Sequence, residues 1–432
     1  MQANTNPFAR MALLNFVVLG IWGVLLRYLQ THAVPGLNAQ FLLHGHSHFA
    51  FSGWMFLALA VLMADSLQPA GTDGRFRTVF RLTQVCSLGM LLTFSLQGYK
   101  AAPLIFSTLF VIVTYRFSHL VLRNPGFRIR LNPVARHLFG AALVCLCISS
   151  LGPFALGPLM VNGLKGTAWY QNSIYFYLHF QMNGWMVLGA LGVFAARHLD
   201  GFRMEKADRC WLRVLTWSTL PLYAMFTLWS APGWLPASLA AGGAALQLVA
   251  WTRLCLACRR LPLKLTPLVR AALLAISLKS ILQLLICFPP LGDWVFMNRN
   301  LIIGYVHLIT LASVTPLILD QFRERGLLPA TRPSGLPDAI YLLSTAAYLG
   351  LLFLQPLLSL GGIHISHFHT CLLLVSILLV AAGAGYCLLT FGQAKGLPVT
   401  GSPADPSPAA GKRAFVINVP AGSDAGHLSG DN

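Results

Sequence analysis

The residues in this sequence best equipped for chemistry are its histidines. Neutral imidazole ligates haem iron, copper and zinc, and its proton affinity lies near physiological pH. Of the thirteen present, eight fall in four short frames. These are His44-Gly-His46-Ser-His48-Phe-Ala-Phe-Ser-Gly-Trp54, Tyr177-Leu-His179-Phe-Gln-Met-Asn-Gly-Trp185, Gly304-Tyr305-Val-His307-Leu-Ile-Thr310 and His364-Ile-Ser-His367-Phe-His369. Each frame sits inside or at the mouth of a long apolar run. His119, His137 and His198 stand alone near basic segments, His32 in a loop and His427 near the C-terminus.

Those runs define the scaffold. The 432-residue chain is 56% hydrophobic and 10% charged, which suits solvation by lipid and not by water. About a dozen stretches are long enough to cross a hydrocarbon core of about 30 Å. They lie near 10–31, 40–65, 82–98, 101–122, 134–156, 169–196, 210–230, 233–256, 265–289, 299–319, 337–360 and 365–391. The expected fold is an all-α polytopic membrane bundle over residues 1–395, followed by a disordered, cytoplasmic Pro/Ala/Gly/Ser-rich tail over 396–432. The first run lacks a small-residue cleavage site and reads as a retained anchor. No internal repeat is apparent.

The net charge of +18 encodes topology and gives no sign of nucleic-acid binding. Basic residues gather in alternate loops: Arg75, Arg77 and Arg81; Arg123 to Arg136; Arg197 to Arg209; Arg253 to Lys264; and Arg323 to Arg332. The intervening loops hold little beyond Lys100, Lys165 and Arg299. This asymmetry places both termini in the cytoplasm of a bacterial inner-membrane protein. All four histidine frames then lie in the outer half of the bilayer, with His307 about 12 Å below its helix end at about 1.5 Å per residue. The nine cysteines are scattered; Cys255-Leu-Ala-Cys258 is a lone pair without a partner pair, and no CxxCH motif for covalent haem attachment occurs.

Ionisable residues inside a span are expensive and therefore functional candidates. Histidines on different helices at one depth, in aromatic and charge-poor surroundings, suit the two axial positions of a haem. The blander alternative is that each imidazole hydrogen-bonds a neighbouring helix.

The helix count and histidine-bearing helices together resemble subunit I of the haem–copper oxidase superfamily, including its nitric oxide reductase branch. The resemblance implies a twelve-helix core with ligands on the second, sixth, seventh and tenth helices. It makes His46 the first choice for one axial ligand of a low-spin haem b, with His44 and His48 as alternates, and His307 the other. Tyr305 stands where that family's tenth helix carries the high-spin haem ligand. His179 resembles a sixth-helix ligand of the non-haem metal, with Asn183 near a reductase glutamate. The seventh span, 210–230, lacks the expected histidine pair. Copper or another non-haem metal would have to draw on His179, or on His364, His367 and His369, which match nothing in the family. The implied role is redox or gas-related, with a cytochrome, a quinol or another membrane subunit as partner, and without a classical binuclear centre. The rival reading is a membrane transporter or chaperone passing copper or haem through histidine sites.

Overall fold

The computed structural model describes residues 6–68, 73–202, 204–326 and 335–392. The tail expected over 396–432 lies outside them. The described residues form helices and no strands, and the chain is a multi-pass, all-α membrane bundle. Among the described residues, ten helices are long and apolar enough to cross a membrane. In chain order the long helices are α1 (Pro7–Tyr28), α2 (Ala39–Leu67), α3 (Gly74–Gln97), α4 (Ala101–Arg123) and α5 (Pro133–Val161). Next come α6 (168–198), α7 (206–230), α8 (Trp234–Cys258) and α9 (Pro267–Ile286). The series ends with α10 (Arg299–Glu324), α11 (Gly335–Ser359) and α12 (Phe368–Gly392).

The two expected spans outside the ten are α6 and α7. In α6 the stretch around His179, Gln181 and Asn183 lowers the mean hydropathy. α7 is not one helix: it runs Lys206–Trp217, then Thr219–Leu222, then tightens to a 3₁₀ segment at Tyr223–Ser230. Pro221 lacks the N–H that would serve the preceding turn, which breaks the ladder there. The sequence also misplaces one boundary. α12 begins at Phe368, so His364 and His367 precede it, and His367 has a left-handed φ of 54°. These two histidines, three apart in sequence, therefore do not share a helical face.

Local signals start the helices as their chemistry dictates. The side chains of Asn6, Asn132 and Thr266 accept from backbone N–H groups ahead of proline-initiated α1, α5 and α9. The tight connection of α3 to α4 passes through Gly98 at φ 64°, where a Cβ would stand 2.5 Å from the Phe41 ring. Only glycine meets both demands.

Three helices occupy the interior. The most apolar stretch of α2 is 83% buried and that of α10 is 67% buried, against 33–50% for the other eight candidate spans. In α6 every residue from His179 to Ala195 is buried. The C-terminal halves of α2, α6 and α10 pack on one another, through contacts such as the Phe56 and Trp185 rings at 5.6 Å. Trp54 Nε1 donates to Thr315 Oγ1 at 3.0 Å. Each interior helix is the second of four in chain order, and α12 closes the bundle against α1.

All three interior helices change geometry just past their histidines. Ala50–Phe56, Phe180–Met186 and Leu308–Val314 are π-helical, following His48-Phe49, His179 and His307 respectively. Widened turns of this kind release carbonyls to other partners. Gly53 O accepts from Asn15 Nδ2 at 2.8 Å, and Leu311 O from the Tyr341 hydroxyl at 2.6 Å. The coincidence exposes a repeat that the linear sequence hides. His48-Phe-Ala-Phe-Ser-Gly-Trp-Met55 and His179-Phe-Gln-Met-Asn-Gly-Trp-Met186 share H-F-x-x-x-G-W-M, correcting the impression that the chain lacks one.

At the opposite end, Arg325 joins the same three helices. It pairs with Asp65 of α2 at 2.9 Å and donates at 3.4 Å to Leu62 O of α2 and Val193 O of α6. A guanidinium against helix C-terminal carbonyls is favourably placed. Beside it, Arg323 grips Asp338 with two 2.8 Å bonds, linking α10 to α11.

Candidate functional site

The three histidines of α2 diverge because residues two apart on a helix point to different sides. His44 and His48 face α3. His48 stacks on Phe94 with centroids 4.2 Å apart, and its Nε2 lies 3.2 Å from the Tyr99 hydroxyl. His44 sets its ring edge-on to Tyr99 at 4.6 Å. His46 turns the other way, onto α1. Its ring lies against Gly23 there, where a Cβ would be in ordinary contact at 3.4 Å from His46 Cε1.

His46 shares this side with His307 of α10 and Arg27 of α1, all close enough to interact electrostatically. His307 Nδ1 is 2.8 Å from Ile303 O. A carbonyl only accepts, so Nδ1 carries the proton and, in the neutral ring, Nε2 presents its lone pair. No described residue hydrogen-bonds that Nε2, and His46 Nδ1 is buried with no partner at all. Arg27 lies over the Tyr348 ring at 5.3 Å, and Tyr348 lies 5.2 Å from the His307 ring. The cluster thus offers two imidazoles with unengaged nitrogens and one guanidinium.

His179 is arranged oppositely. Its Nε2 is 2.8 Å from Thr219 O, the carbonyl exposed where α7 breaks, and its Nδ1 is 3.3 Å from Asn183 Nδ2. The imidazole therefore donates through Nε2 and accepts through Nδ1, which leaves no free lone pair. Asn183 Oδ1 accepts from Gln283 Nε2 at 3.1 Å, and Gln283 Nε2 also donates to the Tyr305 hydroxyl at 2.8 Å. Tyr305, at the position of the family's high-spin haem ligand, and Asn183, near that of a reductase glutamate, both belong to this network. Gln181 instead donates to Ser149 at 3.0 Å.

The frame at 364–369 is exposed. His364 Nδ1 is 3.2 Å from Gln355 Nε2. α12 packs on α1 and α11 while α2 packs on α3, which separates these histidines from His44 and His48. Among the described residues no group of three or more His, Cys, Asp or Glu side chains comes together to hold a metal ion. His137 and His198 meet Thr216 and Gln321 at 3.0 and 3.1 Å.

Two features of the site escape a reading centred on histidine. Lys279 of α9 is 2% exposed in the interior of the bundle, and Gln247 Oε1 accepts from its Nζ at 3.1 Å. No carboxylate pairs with it among the described residues. Lys279, Gln247 and Asn183 line a void of about 10 Å³, room for one water molecule. Its signal was present in Ser277-Leu-Lys279-Ser-Ile-Leu-Gln283, a cation and an amide one turn apart in an apolar run. The second feature is a cavity of about 440 Å³ between α6, α7, α9 and α10, with Tyr305 in its wall. Its walls come from helices distant in sequence, so no local pattern marks it.

No protein-family model matches the chain, and no curated protein matches it.

Proposed function

We propose that this chain is a bacterial inner-membrane haem protein related to subunit I of the haem–copper oxidases, with both termini in the cytoplasm and haem b held between His46 and His307. The observation that carries the reading is the pairing of these imidazoles, each with a nitrogen that no protein group uses. The buried, unsatisfied His46 Nδ1 is costly inside an apolar bundle, and ligation would relieve that cost. His307 is oriented as a ligand should be, since its Nδ1–H bond to a backbone carbonyl fixes tautomer and ring. His46 is held by its packing on Gly23. Arg27 supplies a cation for a carboxylate of the same group. When bound, the haem supplies one-electron chemistry at iron.

The role that follows is electron transfer or gas-related chemistry. His179 spends both nitrogens on protein partners, the Tyr305 hydroxyl belongs to Gln283 and Asn183, and α7 carries no histidine. These residues do not assemble a haem–copper pair, so the reading excludes proton-pumping oxygen reduction by this subunit alone. The decisive measurement is a pyridine haemochrome assay on detergent-purified protein. About one haem b per chain is expected, and a haem-free preparation overturns the proposal. Orientation is tested separately by a C-terminal alkaline phosphatase fusion, which should be inactive; an active fusion reverses the topology.

A further inference from the structure

His44 and His48 have no part in the haem reading, and they lie on the far side of α2 from His46. They are four residues apart in the regular α-helical stretch Ala39–Phe49 that opens α2, so they stand on one face, one turn apart. Side chains lean toward the N-terminus of a helix, and both imidazoles meet Tyr99 in the tight connection after Gly98. The Tyr99 ring is edge-on to both, with centroids 4.6 Å from His44 and 6.1 Å from His48. Phe94 backs the pair, 4.2 Å from the His48 ring and 6.4 Å from that of His44. The ring nitrogens are lightly used. His44 makes no hydrogen bond to a described residue. His48 Nε2 meets the Tyr99 hydroxyl at 3.2 Å, which is long for a bond made by a hydroxyl. Tyr99 is 58% exposed, so the three groups have a route to water.

Two histidines one turn apart on a helix form a chelate for zinc-like ions. A zinc tetrahedron with bonds of about 2.0 Å has ligand–ligand edges of about 3.3 Å. The 3.2 Å between His48 Nε2 and the Tyr99 oxygen matches such an edge. Two imidazoles and a phenol oxygen, with no carboxylate beside them among the described residues, suit zinc far better than magnesium or calcium, which take oxygen ligands. We propose that His44, His48 and Tyr99 bind one zinc ion, with water in the fourth position. The phenol proton leaves to solvent as its oxygen meets the metal. The third donor is a phenol, so the site is not one of three His, Cys, Asp or Glu side chains. Bound zinc would tie α2 to the connection between α3 and α4. The site stands independently of the haem reading, because His46, between its two histidines in sequence, turns to α1.

The test is calorimetric titration of the detergent-purified full-length chain, without a histidine tag, with Zn²⁺ and separately with Mg²⁺. One zinc per chain is expected, and no binding of Mg²⁺. Loss of a residue that merely supports a ligand costs about 10–100-fold in metal affinity. His44→Ala and His48→Phe should each exceed that range, and Tyr99→Phe should weaken binding about tenfold. The combined variant His364→Ala, His367→Ala and His369→Ala should bind zinc as the unaltered chain does. One equivalent of Cu²⁺, used as a paramagnetic stand-in on that combined variant, should give an EPR spectrum with coupling to two nitrogens. This readout leaves the proposed ligands untouched, so it holds even where their replacement prevents folding. Zinc binding kept in His44→Ala and His48→Phe overturns the proposal, as does a chain that binds no zinc or binds Mg²⁺ equally well. Copper without nitrogen coupling overturns it too. A haem-free chain that binds zinc through these residues supports the site and removes the haem alone.

Discussion

The His46–His307 cluster and the His179 network are built on comparable frames and end in opposite chemical states. His179 and His307 directly precede π-helical segments, and His46 lies four residues before one. At His179 the broken α7 presents a carbonyl and Asn183 presents an amide, and the imidazole is consumed as a structural link. At His46 the neighbouring helix presents Gly23 and the Arg27 cation but no hydrogen-bond partner for Nδ1, which is left unpaired. The surroundings, and not the histidine, decide whether a ring is structural or available. A histidine frame read alone therefore overstates the number of ligands.

The sharpest test of this contrast is replacement of the histidines one by one. His307→Ala or His46→Ala should abolish or convert the low-spin haem absorption, whereas His179→Ala should retain it. Equal spectra for all three would erase the distinction. The next largest effect concerns the frame that both regions share. Arg325→Leu leaves Asp65 without its partner at a site where Arg325 is 9% exposed, and such a loss costs about 3–5 kcal/mol. A thermal melt of the variant in detergent should fall, with both regions affected together; an unchanged midpoint would show that the arginine end does not hold the interior helices.

A smaller effect is expected from Asn183→Leu, which removes bonds to His179 and Gln283. Interhelical hydrogen bonds in membrane bundles contribute about 0.6–1.7 kcal/mol, so the melt should drop modestly and the haem content should not. Haem loss in this variant would join the two regions into one site. The smallest change is expected from His44→Ala and His48→Phe, whose rings face Tyr99 and Phe94. Spectra like the wild type are expected, and loss of the low-spin signal in either would move the axial ligand away from His46.

Much of the scaffold was legible in the sequence. Apolar runs announce helices, and Asn-Pro and Thr-Pro pairs mark where three of them begin. The H-x-H-x-H frame left three candidates on α2, because spacing shows that neighbours diverge without showing which neighbour meets another helix. Gly23 and His307 supply that information only once the chain is folded. Lys279 was hidden for a different reason: one cation changes the mean hydropathy of its span too little to interrupt it. The break in α7 was signalled by Pro221, but its consequence, the carbonyl that occupies His179, depends on how α6 and α7 meet. The H-F-x-x-x-G-W-M repeat is too short to stand out until both copies are seen in the same structural role.

The three π-helical segments also act as phase shifters. Each turn there accommodates about one residue more than an α-turn, and one residue corresponds to about 100° of rotation in an α-helix. The half of each interior helix that carries the histidine is thereby rotated relative to the half that packs at the arginine end. Deleting a single residue within 308–314 should restore α-helical winding while leaving Arg325 anchored. The residue lost and the unwinding lost each amount to about 100° and cancel, so His307 keeps its direction. Such a shortened protein should fold, insert and keep its low-spin spectrum; loss of the spectrum would show that the segment does more than absorb one residue.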